Sequence, residues 1–578
     1  MKTRILLALH FHQPVGNFDH VFEAAVDQCY RPIVEHFERH PGVHAAFHLS
    51  GCLLEWLEAN DSKLIDQIIA LVGRGQIEPL GGAFYEPILT AIPREDALEQ
   101  ISLMRDYWSA RTGVTPTGAW LAERVWEPCL ADLLSCAQVG YTILDDQHLR
   151  YAGLPGGRLG GAYCTERAGA GIAVLPTDFE LRYHIPFQSM EKLEANLSTL
   201  EGDAREWVLT YGDDAEKFGF WPGTHEWVYG KDGYSGWLER FLARAENGSA
   251  PFYAQSPAAY LAESPPLTKV YIPNASYTEM LEWALPPASV PSYVKIKELT
   301  QTPELQAAGN AFVRGSLWDA FLARYPESDH MHKHVLRSSR QAAAAGIRDA
   351  RTAALRAECN CAYWHGLFGG IYLPHLRHGV YEQVLAADAL LLETLAAPRA
   401  LAEDIDGDLR EEVILQSARV QAFFKPEDAG TLCELDYLPA RFNVTNVMAR
   451  WRESYHSGAD ITHESSDSDG VASPHERAVG IEKDALADYH FDKLPLRSLR
   501  EFTAEHAPGA AGLGAFAGMN RASAPLKDWR IEGAGFVGAG SAGGARFEKR
   551  VAFESDTRLA CAWKIQEIEK NACFGVML

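Results

Sequence analysis

Short apolar runs alternate with amphipathic stretches from residue 1 to about 290, and no other feature of the chain restricts its fold as much. The runs predict strands at 5–12 (ILLALHFH), 44–50, 77–82 (IEPLGG), 117–123 (TGAWLAE), 141–146 (YTILDD), 207–213 (WVLTYGD) and 269–274 (KVYIPN). Amphipathic segments near 22–39, 62–74 and 94–112 separate the earlier ones. Seven or eight strand–helix units predict a closed or nearly closed parallel barrel, although a doubly wound open sheet gives the same local pattern. In a barrel the chemistry sits at the C-terminal ends of the strands. The residues at or beside those ends are polar out of proportion: His12, Glu78, Glu123, Asp145, Asp146, Asp213 and Asp214.

At 578 residues the chain is longer than one hydrophobic core usually serves, so further domains are expected. From about 300 to 395 the text becomes Ala-, Leu- and Arg-rich at helical spacing, as in QAAAAGIRDARTAALRAE (341–358). Beyond 410, segments such as 411–425 and 545–555 have strand texture, and 457–476, rich in Ser, Asp, His and Gly, reads as a long loop or disordered insertion. The expected division is a barrel over 1–295, a helical domain over 296–395 and a β-sandwich over 396–578.

A formal net charge of −24 disfavours nucleic acid and anionic membranes as partners, since both need a positive field, but it admits neutral polymers. No stretch approaches a transmembrane span. His10 and His12 interrupt the apolar N-terminal run, which argues against a signal peptide, and the ten cysteines at irregular spacing contain no CxxC pair. A cytoplasmic location is expected. Cys359 and Cys361 invite a metal or redox reading, yet residues two apart need companion ligands that the neighbouring sequence does not supply, so buried free thiols are expected.

Glu123 lies in WLAERVWEP (120–128), where a carboxylate at a strand end between aromatic rings suits attack on an anomeric carbon. An ion-paired structural Glu fits the position equally well. A second acidic group, Asp213, Asp214 and Glu216, crowds into YGDDAEKFGFWPGT (211–224) beside Lys217 and Trp221. Such crowding can raise one carboxyl into the range of a general acid, though an acidic pair is more often a solvated turn.

Together with HQP after the first run, GQIEPLGG (75–82) and AYWHGLFGGIYLPHLR (362–377), these blocks resemble, in order, the signatures of glycoside hydrolase family 57, above all its 4-α-glucanotransferase and α-amylase branch. Family-like text also runs from 434 to 456. The resemblance implies a (β/α)7-like barrel followed by a helical domain and a β-sandwich. It implies retaining double displacement on α-1,4-glucans and maltooligosaccharides, with Glu123 as nucleophile, Asp214 as acid/base and no catalytic cofactor. It places His12, Glu78, Trp120, Glu216 and Trp221 around the sugar subsites, with Trp364 and His365 closing the site from the side. Transfer, hydrolysis and a catalytically weakened glucan-binding protein all remain open. The family pattern has an acidic residue where this chain has Cys361, and its members generally continue beyond Leu578, so the sandwich is expected to be incomplete.

Two motifs lie outside that frame. Asp404, Asp406, Asp408 and Glu412 alternate around Gly407, a spacing that serves either a structural Ca2+ or a solvated acidic turn. His330, His332 and His334 are expected on a solvated or partner-facing helix surface in preference to a zinc site.

Overall fold

The computed structural model describes residues 2–154, 156–200, 206–266, 268–457, 470–471, 491–504, 520–521, 524–569 and 572–577. They form two compact units. The first comprises the chain up to Arg324, Glu358–Gly370 and the described part of 452–489; the second comprises Tyr325–Ala357, Ile371–Trp451 and the described residues from 491 onward.

The first unit is built on a parallel sheet. Its strands are Thr3–Phe11, Ala45–Leu49, Ile77–Gly82 broken at Leu80, Gly118–Trp120, Tyr141–Asp145, Ala170–Thr177 and Val208–Asp214, with Phe252–Gln255 as an eighth that pairs parallel with the start of the first. Residues 77–79 pair with the second strand and 81–82 with the fourth, so one segment joins both ends of the strand order and nearly closes the barrel. The seam is loosest between the sixth and seventh strands, which pair only at Thr177 and Thr210. Residues 5–9 of the first strand are all buried apolar groups, as a parallel strand covered on both faces requires. Gly82 has φ 150°, and a Cβ there would come within 2.7 Å of the Trp120 carbonyl oxygen, so a bare backbone is what lets the third strand approach the fourth.

Two strand expectations need correction. Residues 269–274 form no strand: Lys269 makes one bridge to Cys164, Tyr271 is exposed and Pro273 has no N–H to give a ladder. The missing members are Ala170–Thr177, whose predecessor Tyr163–Arg167 folds back on it antiparallel, and the short Phe252–Gln255. Helices follow the amphipathic stretches, with Ser62–Gly73 capped by Asp61 and Arg94–Thr112 stopped by Gly113 at φ 73°.

The second unit packs helices Pro326–Ala345, Arg348–Ala357 and Pro374–Leu392 through small alanine contacts. Antiparallel sheets of five, four and three strands share a core of Val413, Leu415, Phe424, Phe536 and Val551. The helical stretch expected over 296–395 is therefore divided, since the helices up to Arg324 belong to the first unit. His330, His332 and His334 are buried in this unit, contrary to the surface expectation. Cys573–Met577 pairs antiparallel with Arg500–Ala504, and among the described residues no strand pairs with its other edge. Most of the acidic, serine-rich stretch 457–476 lies outside the described residues.

Candidate active site

The first and seventh strands bring the chemistry together. His10 lies in register with Asp214 on one side and His48 on the other, so the C-terminal ends of three strands meet at this point. Glu123 arrives from a turn: it lies three residues past the fourth strand, in the 3-10 segment Ala122–Arg124, with φ 52° and ψ 17°. Arg124 (φ 47°) and Glu86 (φ 54°) are also left-handed. Such conformations cost about 1–3 kcal/mol each for residues with a side chain and persist where the surroundings over-determine them. The surroundings here are specific. Tyr277 donates its hydroxyl to Glu123 Oε2 at 2.7 Å, Ser276 donates to the Glu123 carbonyl oxygen at 2.6 Å, and the Arg124 guanidinium lies 4.7 Å from the Tyr277 ring centroid.

The acidic groups have been given different environments. Burial works against the charge of Asp213, but Lys217, which forms a short ion pair with it, and Arg182 at 3.2 Å hold its carboxyl well below the usual range. Asp214 has no such cation in contact; burial and then the charge of Asp213 push its pKa up. Burial is also the main reason that Glu123 is pushed up to about 7, with the charge of Asp214 adding to it and the Tyr277 hydroxyl and Arg124 opposing it. Glu216 is raised by burial and by Asp214, while it accepts the His12 backbone N–H at 3.0 Å and a short bond from the Tyr30 hydroxyl. The charge of Asp214 thus acts on both Glu123 and Glu216. A pair of carboxyl groups with separately tuned proton affinities is what acid-assisted nucleophilic displacement needs.

His12 occupies the centre of the remaining polar groups. Its Nδ1 lies 2.5 Å from Glu86 Oε2, and the opposite nitrogen, Nε2, lies 3.1 Å from the Cys361 sulfur. Burial opposes its charge but Glu86 outweighs it, raising the imidazole to about 10. His10 stacks on Trp120 with centroids 4.7 Å apart, which covers that indole and leaves it as packing beneath the pocket. Trp221 lies between Lys217 and the exposed Phe368, 5.7 Å from the latter, and offers an aromatic edge beside the acids. Trp364 stacks on Trp283, which meets Tyr277 edge-on, so the helical-region indole reaches Glu123 through two rings. His365 faces Glu453 at 3.6 Å, and burial lowers its pKa to about 4.

Glu78 stands apart. It lies opposite Ala46 near the start of its strand, with its carboxylate held by the Tyr141 hydroxyl at 2.6 Å and the Ala258 N–H at 2.8 Å. The carboxylate that reaches His12 is Glu86. Sequence reasoning missed Glu86, Tyr277 and Arg182; only Lys217 had a signal, its place beside the crowded acids.

His10, His12 and Glu86 each offer a metal-ligating atom within 4.8 Å of the others, but the His12–Glu86 ion pair already balances that set internally. In the second unit Asp404, Asp406 and Glu412 come together in the same way, whereas Asp408 accepts the Arg410 N–H. The Lys425 ammonium contacts both Asp406 and Glu412, so a Ca2+ ion there would have to displace it.

A strained, aromatic-walled pair of tuned carboxyl groups at a barrel mouth defines a glycosidase-type enzyme. Comparison with known proteins agrees: residues 6–251 match the model of glycosyl hydrolase family 57, 316–391 the α-amylase/4-α-glucanotransferase middle domain and 404–576 the C-terminal domain of the same proteins. The chain belongs to glycosyl hydrolase family 57. It is 40% identical over 496 residues to an α-amylase of Pyrococcus furiosus, covering 85% of this chain and 73% of the relative. It is 39% identical over 495 residues, with the same coverage, to the 4-α-glucanotransferase of Thermococcus litoralis. The crystal structure of a 4-α-glucanotransferase from T. litoralis superposes with a TM-score of 0.87 at 33% identity, covering 100% of this chain and 86% of that one. Among the described residues no helix is long and apolar enough to cross a membrane.

Proposed function

We propose that this chain is a retaining 4-α-glucanotransferase acting on α-1,4-glucans and maltooligosaccharides through a glycosyl-enzyme intermediate. The observation that carries the reading is the arrangement of Glu123 and Asp214. Both are half-buried at the barrel mouth, Glu123 lies in the field of Asp214, and of the two only Glu123 has a hydroxyl donor fixed on its oxygen. Glu123 attacks the anomeric carbon while Asp214 protonates the departing glycosidic oxygen; Asp214 then removes the proton from the 4-hydroxyl of an acceptor sugar. The mechanism requires the two carboxyl groups to close to about 5–5.5 Å around substrate, the separation of retaining enzymes.

Several close relatives are named α-amylases, which supports hydrolysis as the second reading, with water in place of the acceptor. The choice depends on whether the acceptor side holds sugar better than water. The exposed Phe368 edge against Trp221 supports sugar, because an aromatic face stacks on a pyranose and excludes water. Incubation with maltotriose tests this directly. Maltooligosaccharides longer than the substrate are expected; only glucose and maltose would establish the hydrolase reading, and no product would remove both.

A further inference from the structure

Cys359 and Cys361 are not used by the displacement mechanism, yet they belong to the pocket wall. Cys361 is partly exposed, its sulfur is 3.1 Å from His12 Nε2, and it lies in the field of Glu123 and Glu86. Cys359 is 2% exposed and begins the short turn Asn360–Ala362. The two thiols interact with each other. Residues two apart are at most about 7 Å apart at Cα even when extended, and a turn shortens that, so the pair falls within the span that a disulfide bridges.

We propose that Cys359 and Cys361 form an oxidisable dithiol in the wall of the catalytic pocket, which a hydroperoxide converts reversibly to a disulfide that suppresses turnover. The environment divides the roles. Cys361 is the nucleophile: it is the partly exposed thiol that a small peroxide can reach, and the His12 imidazole, 3.1 Å away at Nε2, is placed to hold its thiolate. Its sulfur attacks one peroxide oxygen; the S–O bond forms, the O–O bond breaks, and the leaving hydroxide takes a proton to become water. The Cys359 sulfur then displaces hydroxide from the sulfenic acid, its thiol proton completing a second water. Two electrons pass from the thiols to the peroxide, and two thiols with one hydrogen peroxide give one disulfide and two waters. With hydrogen peroxide both oxygens leave as water; an organic hydroperoxide releases one as an alcohol. The new bond draws the Cys361 sulfur away from His12, which loses the partner of its Nε2 beside Glu123.

The full-length protein decides the matter. Trypsin releases both cysteines on one peptide, Ala357–Arg377, which has no internal Lys or Arg. Reduced enzyme exposed to hydrogen peroxide should lose turnover of maltotriose on the order of a hundredfold, the size expected when a pocket group shifts by an ångström. That peptide should lose about 2 Da and resist alkylation, and dithiothreitol should restore both mass and rate. Cys359→Ser and Cys361→Ser, each compared with its own untreated rate, should be far less sensitive. The proposal fails if the bridged peptide accompanies unchanged turnover, if reversible loss occurs with this peptide unaltered, or if either variant loses activity as the wild type does. The effect on turnover rests on the glucan-active reading of the pocket, but the peptide mass does not: an enzyme inert when reduced would refute that reading, and the peptide would still report whether the bridge forms.

Discussion

Two histidine–carboxylate clusters among the described residues, one in each unit, differ in what is left over. In the second unit His334 is wholly buried, with Nε2 2.7 Å from Asp388 and Nδ1 2.7 Å from Glu434. His330, Tyr381, Ser338 and Gln421 take up further oxygens of the same two acids. In the barrel, His12 keeps 19% of its side chain exposed, and Asp214 and Glu123 sit nearby with raised proton affinity and no cation in direct contact. Both clusters perturb titration strongly, so perturbation alone does not mark a functional site. The second cluster also holds an acid, Asp436, pushed up by burial and by Glu434, so what separates the two is access to their acids.

Substitution at Glu123 should give the largest effect. Glu123→Ala should lose turnover on the order of 10^4-fold or more, since the attacking oxygen is gone. Its unfolding midpoint should hold or rise, because a strained, desolvated carboxyl has been removed. With α-glucosyl fluoride, azide should enter the vacancy and give the β-glucosyl azide by a single inversion. Asp214→Ala should lose roughly 10^2- to 10^4-fold on maltooligosaccharides but far less on the fluoride, whose leaving group needs little acid assistance, and azide should give the α-product. Product analysis checks the assignment: exchanged anomers would exchange the roles, and an unchanged Glu123→Ala rate would end the mechanism.

The second cluster should respond in the opposite way. His334→Ala leaves Asp388 and Glu434 without their shared cation, a loss of about 3–5 kcal/mol for a broken buried pair, while turnover of the folded protein at 25 °C stays near wild type. The sign of the pH dependence follows from the raised imidazole, about 10 in the fold against roughly 6.5 unfolded. Its contribution is fully present below about pH 6.5 and is lost as pH rises toward 10. Denaturant titrations of wild type and variant should therefore converge across that window. A constant gap would mean that the cation at His334 is not what stabilises the unit.

The difference between the clusters also explains what the sequence could reveal. Six of the eight parallel strands were legible because apolar runs between amphipathic stretches record burial on both faces of a parallel sheet. Ala170–Thr177 was not, since its hairpin partner Tyr163–Arg167 and the Gly-rich approach obscure the period, while KVYIPN imitated a strand that the nearly closed barrel leaves unpaired. Asp214 and Glu216 were legible as crowded acids after an apolar run. Glu86 was not: it sits in a loop with left-handed backbone, and nothing periodic distinguishes it from Glu78, which has the better strand position and no part in the His12 group. Tyr277 and Arg182 come from distant loop and helix positions whose convergence only the closed barrel produces. His330 and His334 were placed on a surface because their partners, Asp388 and Glu434, lie more than fifty residues downstream.

The smallest expected effect concerns how Glu123 stays ionised in the barrel cluster. A nucleophile must carry its charge, and burial pushes this one up to about 7, so kcat/KM should fall on the acid side with an apparent pKa near 7. The Tyr277 hydroxyl opposes that rise by donating to Oε2 at 2.7 Å, a bond that favours the charged form. Tyr277→Phe removes the hydroxyl and keeps the ring under Arg124. A hydrogen bond to a charged group contributes about 1.5–3 kcal/mol, and about 1.4 kcal/mol corresponds to one pH unit, so the acid limb should move upward by roughly one to two units. At neutral pH, where about half of the wild-type Glu123 is already protonated, the variant should therefore be roughly five- to fiftyfold slower on maltotriose, with much of the loss recovered at higher pH until Asp214 loses its own proton. A uniform loss across the profile would mean that Tyr277 acts by shaping the pocket alone. A limb that moved downward would mean that the hydroxyl holds the protonated acid, and access alone would then distinguish this cluster from the one around His334.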